Sequence, residues 1–573
     1  MKIASLPAVA RNDRTLSMRQ DGVLRTTSWR LTTATIISLL LCLAFFPCAA
    51  KSQTDEALGR YSLIYDSTYI WPDGHGGYDY IRKFVSDVVL DKQGRSVLSR
   101  PATPVLDKDD KITITAYTKL SSGEILQADT SDMVTRILPG DRRWVFINFR
   151  RAEPGAILHL DWLINSKQAN IAGKRFLGRT VPVERAIVAL TVPEAWRFNF
   201  AFTGSGDAHQ VETIRPSSGE PPSATYSWIA NDLAGLSHED YAPPVERMIP
   251  CLYFSFSYDT NWSGPDSNLI DWKYLARLYF QQIKTFTKQS SQLNAVADSI
   301  GDRTTDSEKR TEMAYAWAGD HFKPLDSDIT LGGSINEVLQ LGRGNQAEAA
   351  VILLALLERL KIPCSAYLVA SKDAGDPLIQ LPALFWFDRL LIAAYPKTDT
   401  IWIDPFYQLA DMDILPFEDQ GAKGLSLSGA GGDFITIPMP DYRENGKAIH
   451  LKLDLDSLGS LHGQATEIYS GALIPEVSIF LKGQDALERQ APWEKKLAQS
   501  FPGAKIEKFD VYPPDSTGRA LKIGYSFNTG PTIRPFANRA YIPMDLLGRW
   551  SDLPALPGNT RQFPIELRRP RFE

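Results

Sequence analysis

The chain has 573 residues, a formal net charge of −5, and 44% apolar and 23% charged residues. That length is too great for one hydrophobic core and predicts about three or four domains, since domains run to about 100–200 residues; the composition excludes bulk disorder, collagen and coiled coil. The first fifty residues hold six Lys or Arg against two Asp, a net of +4, which leaves −9 for the remainder, and an acidic surface argues against nucleic acid as a partner because phosphate binding needs a positive field.

At the start of the chain, Arg25 and Arg30 precede an apolar run from Ile36 to Phe46, which Pro47 breaks before the small residues Cys48, Ala49 and Ala50. A basic region, a short apolar stretch and small exit residues are the three parts of a secretory signal. The run falls short of the about 20 apolar residues that a membrane span needs. Residues 1–50 are therefore expected to be a signal peptide, with an uncleaved anchor as the alternative and Met18 as a candidate start. No transmembrane segment is expected in the mature chain, which should be exported and periplasmic or envelope-associated. Of four cysteines, Cys42 and Cys48 fall in the leader. Cys251 and Cys364 are open to one disulfide or to two buried thiols, and their apolar, strand-like surroundings favour thiols.

Residues 55–250 read as an N-terminal β-sandwich. Lys111–Tyr117 alternates polar and apolar, and Trp144–Phe149, Ala156–Trp162, Ala186–Leu190 and Arg197–Phe202 follow, with turns such as Pro154-Gly155 between them. A helical pattern opens near Asp271 and runs through Leu275, Leu278, Tyr279 and Ile283. A second helix is predicted from Thr305, capped with Glu308 as reciprocal partner. A third, from Gln346 to Leu360, is apolar on nearly all sides and so should be buried. Strands are predicted at Cys364–Ala370, Leu390–Ala394 and Ile401–Ile403, and helices followed by a small sheet suggest an α+β domain over 268–417. The Gly/Ser-rich stretch 418–434 reads as a linker. A β-rich domain over 436–573 follows, with strands near Ala448–Asp456, Leu461–Tyr469, Ile506–Tyr512 and Leu521–Phe527 and a helix near Asp485–Ser500. The fold class expected for the whole is α+β multidomain.

The segment 342–405 carries the chemistry. It reads Gly342-Arg-Gly-Asn-Gln346-Ala-Glu, then the apolar helix ending Leu360-Lys-Ile-Pro363, then Phe387-Asp-Arg389-Leu, then Trp402-Ile-Asp404-Pro405. This resembles the transglutaminase-like superfamily of the papain-type fold, in the exported bacterial form with a preceding β-domain of unknown function. In that family a Gly-x-Cys opens the buried helix, an Asn-His pair begins the next core strand, and Trp-x-Asp-Pro supplies the acid. The resemblance extends to the β-rich regions on either side, including the turn at Pro154-Gly155. It implies a central papain-like domain and a cleft for a peptide, protein or envelope polymer.

A thiol at a helix N-terminus is favoured as thiolate, a histidine relays its proton, and a carboxylate orients the histidine. Here the thiol position is Gln346, which has no ionisable nucleophile, and the histidine position is Arg389, which stays protonated. Only Asp404 matches. The resemblance sets Arg389 and Asp404 face to face, implying an ion pair where the His–Asp bond would be. No histidine falls between 342 and 405, and Cys364 lies past the helix, in a strand.

Other signals are weaker. Tyr61, Tyr65, Tyr69, Trp71, Tyr78 and Tyr80 around the loop Pro72–Gly77 could stack sugars or peptides, but strand packing accounts for them. Gly429–Gly432 lacks the Lys-Ser/Thr of a phosphate loop. Asp454 and Asp456 alternate with leucines on a strand's wet face, and the histidines lack ligand spacing, so no metal or other cofactor is expected. The leading expectation is a catalytically inactive binding or scaffolding module of the cell envelope. The alternatives are an active cysteine protease or acyltransferase with unrecognised residues and a purely structural β-protein.

Overall fold

The computed structural model describes most of residues 59–533 together with 561 and 563–566; residues 1–58, and shorter stretches such as 73–77, 260–269 and 407–410, lie outside the described residues. The leader and the loop Pro72–Gly77 thus fall outside them. The N-terminal strands are β1 Arg60–Pro72, β2 Tyr78–Val89, β3 Lys111–Lys119, β4 Ile125–Gln127, β5 Met133–Ile137, β6 Arg143–Ile147, β7 Ile157–Ser166, β8 Ala172–Phe176, β9 Val183–Pro193, β10 Trp196–Thr203, β11 His209–Arg215, β12 Ser223–Leu233 and β13 Cys251–Asp259. Eight of them form one sheet in the order β11-β12-β9-β1-β2-β7-β3-β4, antiparallel apart from the parallel β1–β9 pair. The three-stranded sheet β10-β13-β8 brings Trp196, Leu252 and Phe254 against Ile70, Val188 and Trp228 of the large sheet. Tyr61 and Tyr80 lie in this core, and Tyr69 stacks on Trp71 at 5.7 Å, so much of the aromatic cluster is strand packing.

One buried acid ties the two sheets. Asp66 of β1 accepts from Arg82 of β2 at 2.9 and 2.8 Å, and Arg175 of β8 reaches across to lie 3.7 Å from it. Arg175 also donates to Thr68 Oγ1 and the Tyr80 hydroxyl at 3.0 and 3.1 Å. Burial alone would push the Asp66 carboxyl up, but the Arg82 and Arg175 guanidiniums outweigh it and hold the group below the ordinary carboxylate range.

The middle of the chain packs helices on a small sheet. The helices are α1 Trp272–Phe286, α2 Ser291–Arg303, α3 Ser307–His321, α4 Ile335–Leu341 and α5 Gln346–Arg359, with the short strands β14 Lys323–Asp326 and β15 Arg343–Asn345 paired in parallel. The sheet is β18-β17-β16-β19-β20, from β16 Cys364–Ala370, β17 Arg389–Ala394, β18 Ile401–Ile403, β19 Lys423–Leu427 and β20 Phe434–Thr436. Every residue of α5 from Gln346 to Leu357 is buried, so its all-round apolar surface becomes the centre of the core. The C-terminal sheet β21-β22-β24-β23 comprises Lys447–Leu455, Ser460–Ser470, Ala520–Pro531 and Lys505–Tyr512, and is covered by α6 Leu473–Leu481 and α7 Ala486–Ser500.

Several expectations are corrected. The chain is not of α+β class: strand outweighs helix by 43% to 24%, spread over six sheets among the described residues. The strong helical periodicity of 271–360 stood for too much of the chain. The stretch 418–434 is not a linker either, because it holds β19, which pairs with β16 from Ala366↔Leu427 to Ala370↔Lys423. Its glycines serve a hairpin: a Cβ on Gly432 would sit 1.7 Å from the Ser426 carbonyl oxygen. Helix α3 is capped by Asp306, which accepts from Glu308 and Lys309 N–H at 2.9 and 3.1 Å, rather than by Thr305. Among the described residues no helix is long and apolar enough to cross a membrane.

Removing the Asp66 charge should strand two buried guanidiniums. We expect Asp66→Asn to cost about 3–5 kcal/mol, read as a lower urea midpoint, while Arg60→Ala, which breaks an exposed pair with Glu184, leaves the midpoint in place.

Candidate functional site

Helix α5 begins where the sequence places it, and the reasons are local. Asn345 caps it by accepting from Glu348 N–H at 2.9 Å, and Glu348 reciprocates by accepting from Asn345 N–H at 2.9 Å. The buried Glu348 carboxylate also takes Gly332 N–H at 3.0 Å, though burial pushes its carboxyl up. Gly344 is required by this box, because a Cβ there would lie 2.0 Å from Glu348 Oε2. Gln346 is thereby fixed as the first residue of the helix.

The Gln346 side chain substitutes for a strand. Its Oε1 accepts from Leu390 N–H at 2.7 Å, and its Nε2 donates to the Leu390 carbonyl at 2.9 Å and to Asp404 Oδ1 at 2.8 Å. The β17–β18 pairing stops at Ile392↔Ile403. Continuing that register would set Pro405 opposite Leu390, and proline has no N–H to offer. An amide carries the same donor and acceptor as a peptide unit, so Gln346 closes the ladder that Pro405 cannot. Asp404 Oδ1 also accepts from Phe406 N–H at 2.9 Å.

Arg389 does not pair with Asp404 as expected. Its guanidinium lies 3.7 Å from Glu418 and 3.8 Å from Asp419, sits over the Phe406 ring at 5.2 Å and donates to the Ser327 hydroxyl. Asp419 is the residue that sequence reasoning missed. It is fully buried, and burial, then the Asp404 charge, push its carboxyl well above the ordinary range. It sits in the stretch taken for a linker, where no periodicity marked it. The Asn345-x-x-Glu348 box, by contrast, was readable as a helix-start signature.

The site is closed. Gln346 is 0% exposed, Asp404 3%, Arg389 6% and Asp419 0%. Segment 327–332 lies across the N-terminus of α5. The Asp328 carbonyl accepts from Ala347 N–H at 3.4 Å, the Ile329 carbonyl accepts from the Tyr279 hydroxyl, and the Thr330 carbonyl accepts from Asn345 Nδ2. Ile329 adds its side chain to the core. The Ala347 N–H at the start of the helix is thus met by a carbonyl of segment 327–332.

The two described cysteines are free thiols. Cys364, half-buried on β16, is pushed up to about 12 by burial and then by the Glu358 charge. Cys251, buried on β13, is pushed up to about 11, again chiefly by burial. Both are therefore held as neutral thiols, the opposite of an activated nucleophile. Of the histidines, His159 bonds Asp87 at 2.6 Å within the N-terminal sheet, and His321 stacks on Trp317 at 4.4 Å.

No protein-family model and no curated protein matches the chain. Among solved structures, a candidate protease from Parabacteroides distasonis is similar over 87% of this chain and 96% of that one, at 16% identity and a TM-score of 0.51. A candidate cysteine protease from Cytophaga hutchinsonii covers 54% and 78% at 9% identity, with a TM-score of 0.15. An M1 zinc metallopeptidase from Deinococcus radiodurans covers 40% and 53% at 9% identity, with a TM-score of 0.17. The first is a likeness of fold, consistent with the resemblance read in residues 342–405; the other two score too low to add to it.

Gln346 should be a structural keystone. We expect Gln346→Met to cost about 3 kcal/mol or more, because it orphans Leu390 N–H and its carbonyl together and takes one of two donors from Asp404 Oδ1. In a double-mutant cycle with Asp404→Leu, the losses should fall short of additive by about 1–3 kcal/mol, measured by urea unfolding.

Proposed function

We propose that this protein is an exported transglutaminase-like module that does no cysteine chemistry and serves as a binding or scaffolding element of the cell envelope, with a peptide, protein or envelope polymer as its partner. The observation that carries the reading is the commitment of Gln346: the residue at the thiol position is fully buried, and both polar atoms of its amide are bonded to Leu390 and Asp404. The proton carrier is missing as well, because Arg389 stays protonated and its charge faces Glu418 and Asp419. Export rests on the three-part leader in residues 1–50. The similarity in fold to a candidate protease supports descent from a hydrolase-like ancestor without assigning turnover to this chain. The reading places no ligand contact on Gln346, Arg389 or Asp404 while segment 327–332 lies over them.

The test uses the purified mature chain with unfolded casein, a fluorescent primary amine and sedimented peptidoglycan. We expect no cleavage of casein, no amine incorporation into its glutamines, and co-sedimentation with either casein or peptidoglycan. Gln346→Cys should stay inactive, since a thiol there still has no base. Turnover abolished by Cys364→Ser or Cys251→Ser would reveal a relocated nucleophile and overturn the reading. Absence of binding to both polymers would favour a purely structural role instead.

A further inference from the structure

The connection between β12 and β13 carries a small apolar cluster of its own, away from the three main cores. Leu236, Ala242, Met248 and Ile249 are buried in it, with Val245 and the Phe176 ring from the end of β8 beside them. Phe563, distant in sequence, packs against the same cluster. Two charged groups from this connection meet the segment around Phe563. Glu239, whose side chain is 9% exposed, lies 3.5 Å from the Arg561 guanidinium and accepts from Phe563 N–H at 3.2 Å. Arg247 Nη1 donates to both carboxylate oxygens of Glu566 at 2.9 Å.

The receiving side is held in place by contacts that do not involve 561–566. Arg247 stands on the one-turn helix Val245–Met248, and its Nη1 also donates to the Lys372 carbonyl of the turn after β16 at 3.2 Å. Its stem lies along Gly375, at φ +86°, where a Cβ would come within 3.1 Å of Arg247 Cδ. A guanidinium fixed in this way receives a carboxylate without first being ordered. A carboxylate as buried as Glu239 in turn selects a cation and an N–H, because a neutral partner would leave its charge uncompensated. The segment itself is gripped at three points and is not enclosed. Phe563 is half-buried, while Pro564 and Ile565 are exposed. Pro564 has no N–H to give to a strand ladder, so recognition rests on the side chains of Arg561, Phe563 and Glu566 and on the Phe563 N–H.

We propose that this groove is a peptide-binding site for an extended segment carrying a basic residue, an aromatic two positions on and an acid three positions after that. Residues 561–566 are the chain's own copy of that ligand and occupy the groove until a partner peptide displaces them. An aromatic anchor in an apolar pocket supplies most of the binding energy in such sites. The opposite charges of Glu239 and Arg247 set the direction in which the peptide lies. A segment tethered to its own groove meets it at an effective concentration of about millimolar. A second copy of this chain at about micromolar concentration cannot compete with that, whereas a partner with tighter anchors can. The inference rests on the binding reading above only in giving the groove a partner outside the chain. The groove is a different place from the buried site at Gln346, so failure to bind casein or peptidoglycan and failure of the groove are seen separately.

The experiment is fluorescence anisotropy with a labelled peptide spanning residues 558–567, titrated with the full chain. Phe563→Ala withdraws the resident anchor, and this variant should bind the peptide at least about tenfold more tightly than the wild-type chain, which its own segment blocks. Glu566→Lys sets a cation against Arg247, should open the groove in the same way, and serves if the first variant folds poorly. Adding Glu239→Gln or Arg247→Ala to the opened variant should weaken binding about tenfold, and a peptide with alanine in place of its phenylalanine should not bind. No binding to either opened variant, equal binding to the wild-type and opened chains, or unchanged affinity in either double variant would overturn the proposal. So would wild-type chains that pair in sedimentation velocity while Phe563→Ala stays monomeric, because 561–566 would then serve a second copy of the chain.

Discussion

The geometry of the central region depends on one side-chain amide standing in for a peptide group. Strand β17 needs a partner at Leu390, and β18 cannot supply one because the next residue in register is Pro405. A buried strand edge with an orphaned N–H and carbonyl would cost about 1–3 kcal/mol for each group. Gln346 removes both penalties and holds Asp404 with the same nitrogen. That requirement selects the residue type. A thiol is a weak donor and a weak acceptor, and it could not span both Leu390 groups. A glutamate could accept from Leu390 N–H but would face its carbonyl and Asp404 with no proton to give.

Once the amide is fixed there, the charges rearrange around it. Asp404 is satisfied at Oδ1 by Gln346 and Phe406, so Arg389 is not drawn to it and turns instead toward Glu418 and Asp419. Guanidinium suits this role because it stays charged, sits over the Phe406 ring and still spares a donor for Ser327. The covering segment follows from the same logic. The first N–H groups of a buried helix must find acceptors, and the Asp328 carbonyl takes Ala347 N–H, while the Ile329 and Thr330 carbonyls take the Tyr279 hydroxyl and the Asn345 side-chain amide. A site whose helix terminus, strand edge and acid are all met internally has little left with which to hold a reacting carbonyl.

How much of this was legible in the sequence depended on how local the cause was. Strands with strict alternation, such as β3, and the all-apolar helix α5 fell within a residue or two of expectation, because burial of one face or of all faces writes a period into the chain. Helix α2 was missed because only Leu293, Ala297 and Ile300 are buried along it, too thin a stripe to read. Strand β19 was missed because glycine and serine dominate its neighbourhood, and the need for those glycines lies in the approach of Ser426 across a hairpin. The positions Gln346, Arg389 and Asp404 were found through the resemblance, and two of them do touch. The pairing of Arg389 with Asp404 failed because it assumed the old partners were free, whereas Gln346 had already claimed Asp404. Asp419 had no local mark at all; its role exists only where β18 and the turn before β19 meet.

Asp404 stays buried, out of reach of water. An unpaired aspartate at 3% exposure would be strongly unfavourable, so Asp404 persists only because other groups satisfy it. Gln346 and the Phe406 N–H do so by hydrogen bonding at Oδ1. Replacing Asp404 by an apolar residue would free Asp419 from its like-charged neighbour and leave it to Arg389, which already lies 3.8 Å away. Gln346 and Asp404 therefore act as one unit, each satisfying a polar group that the other could not leave buried alone.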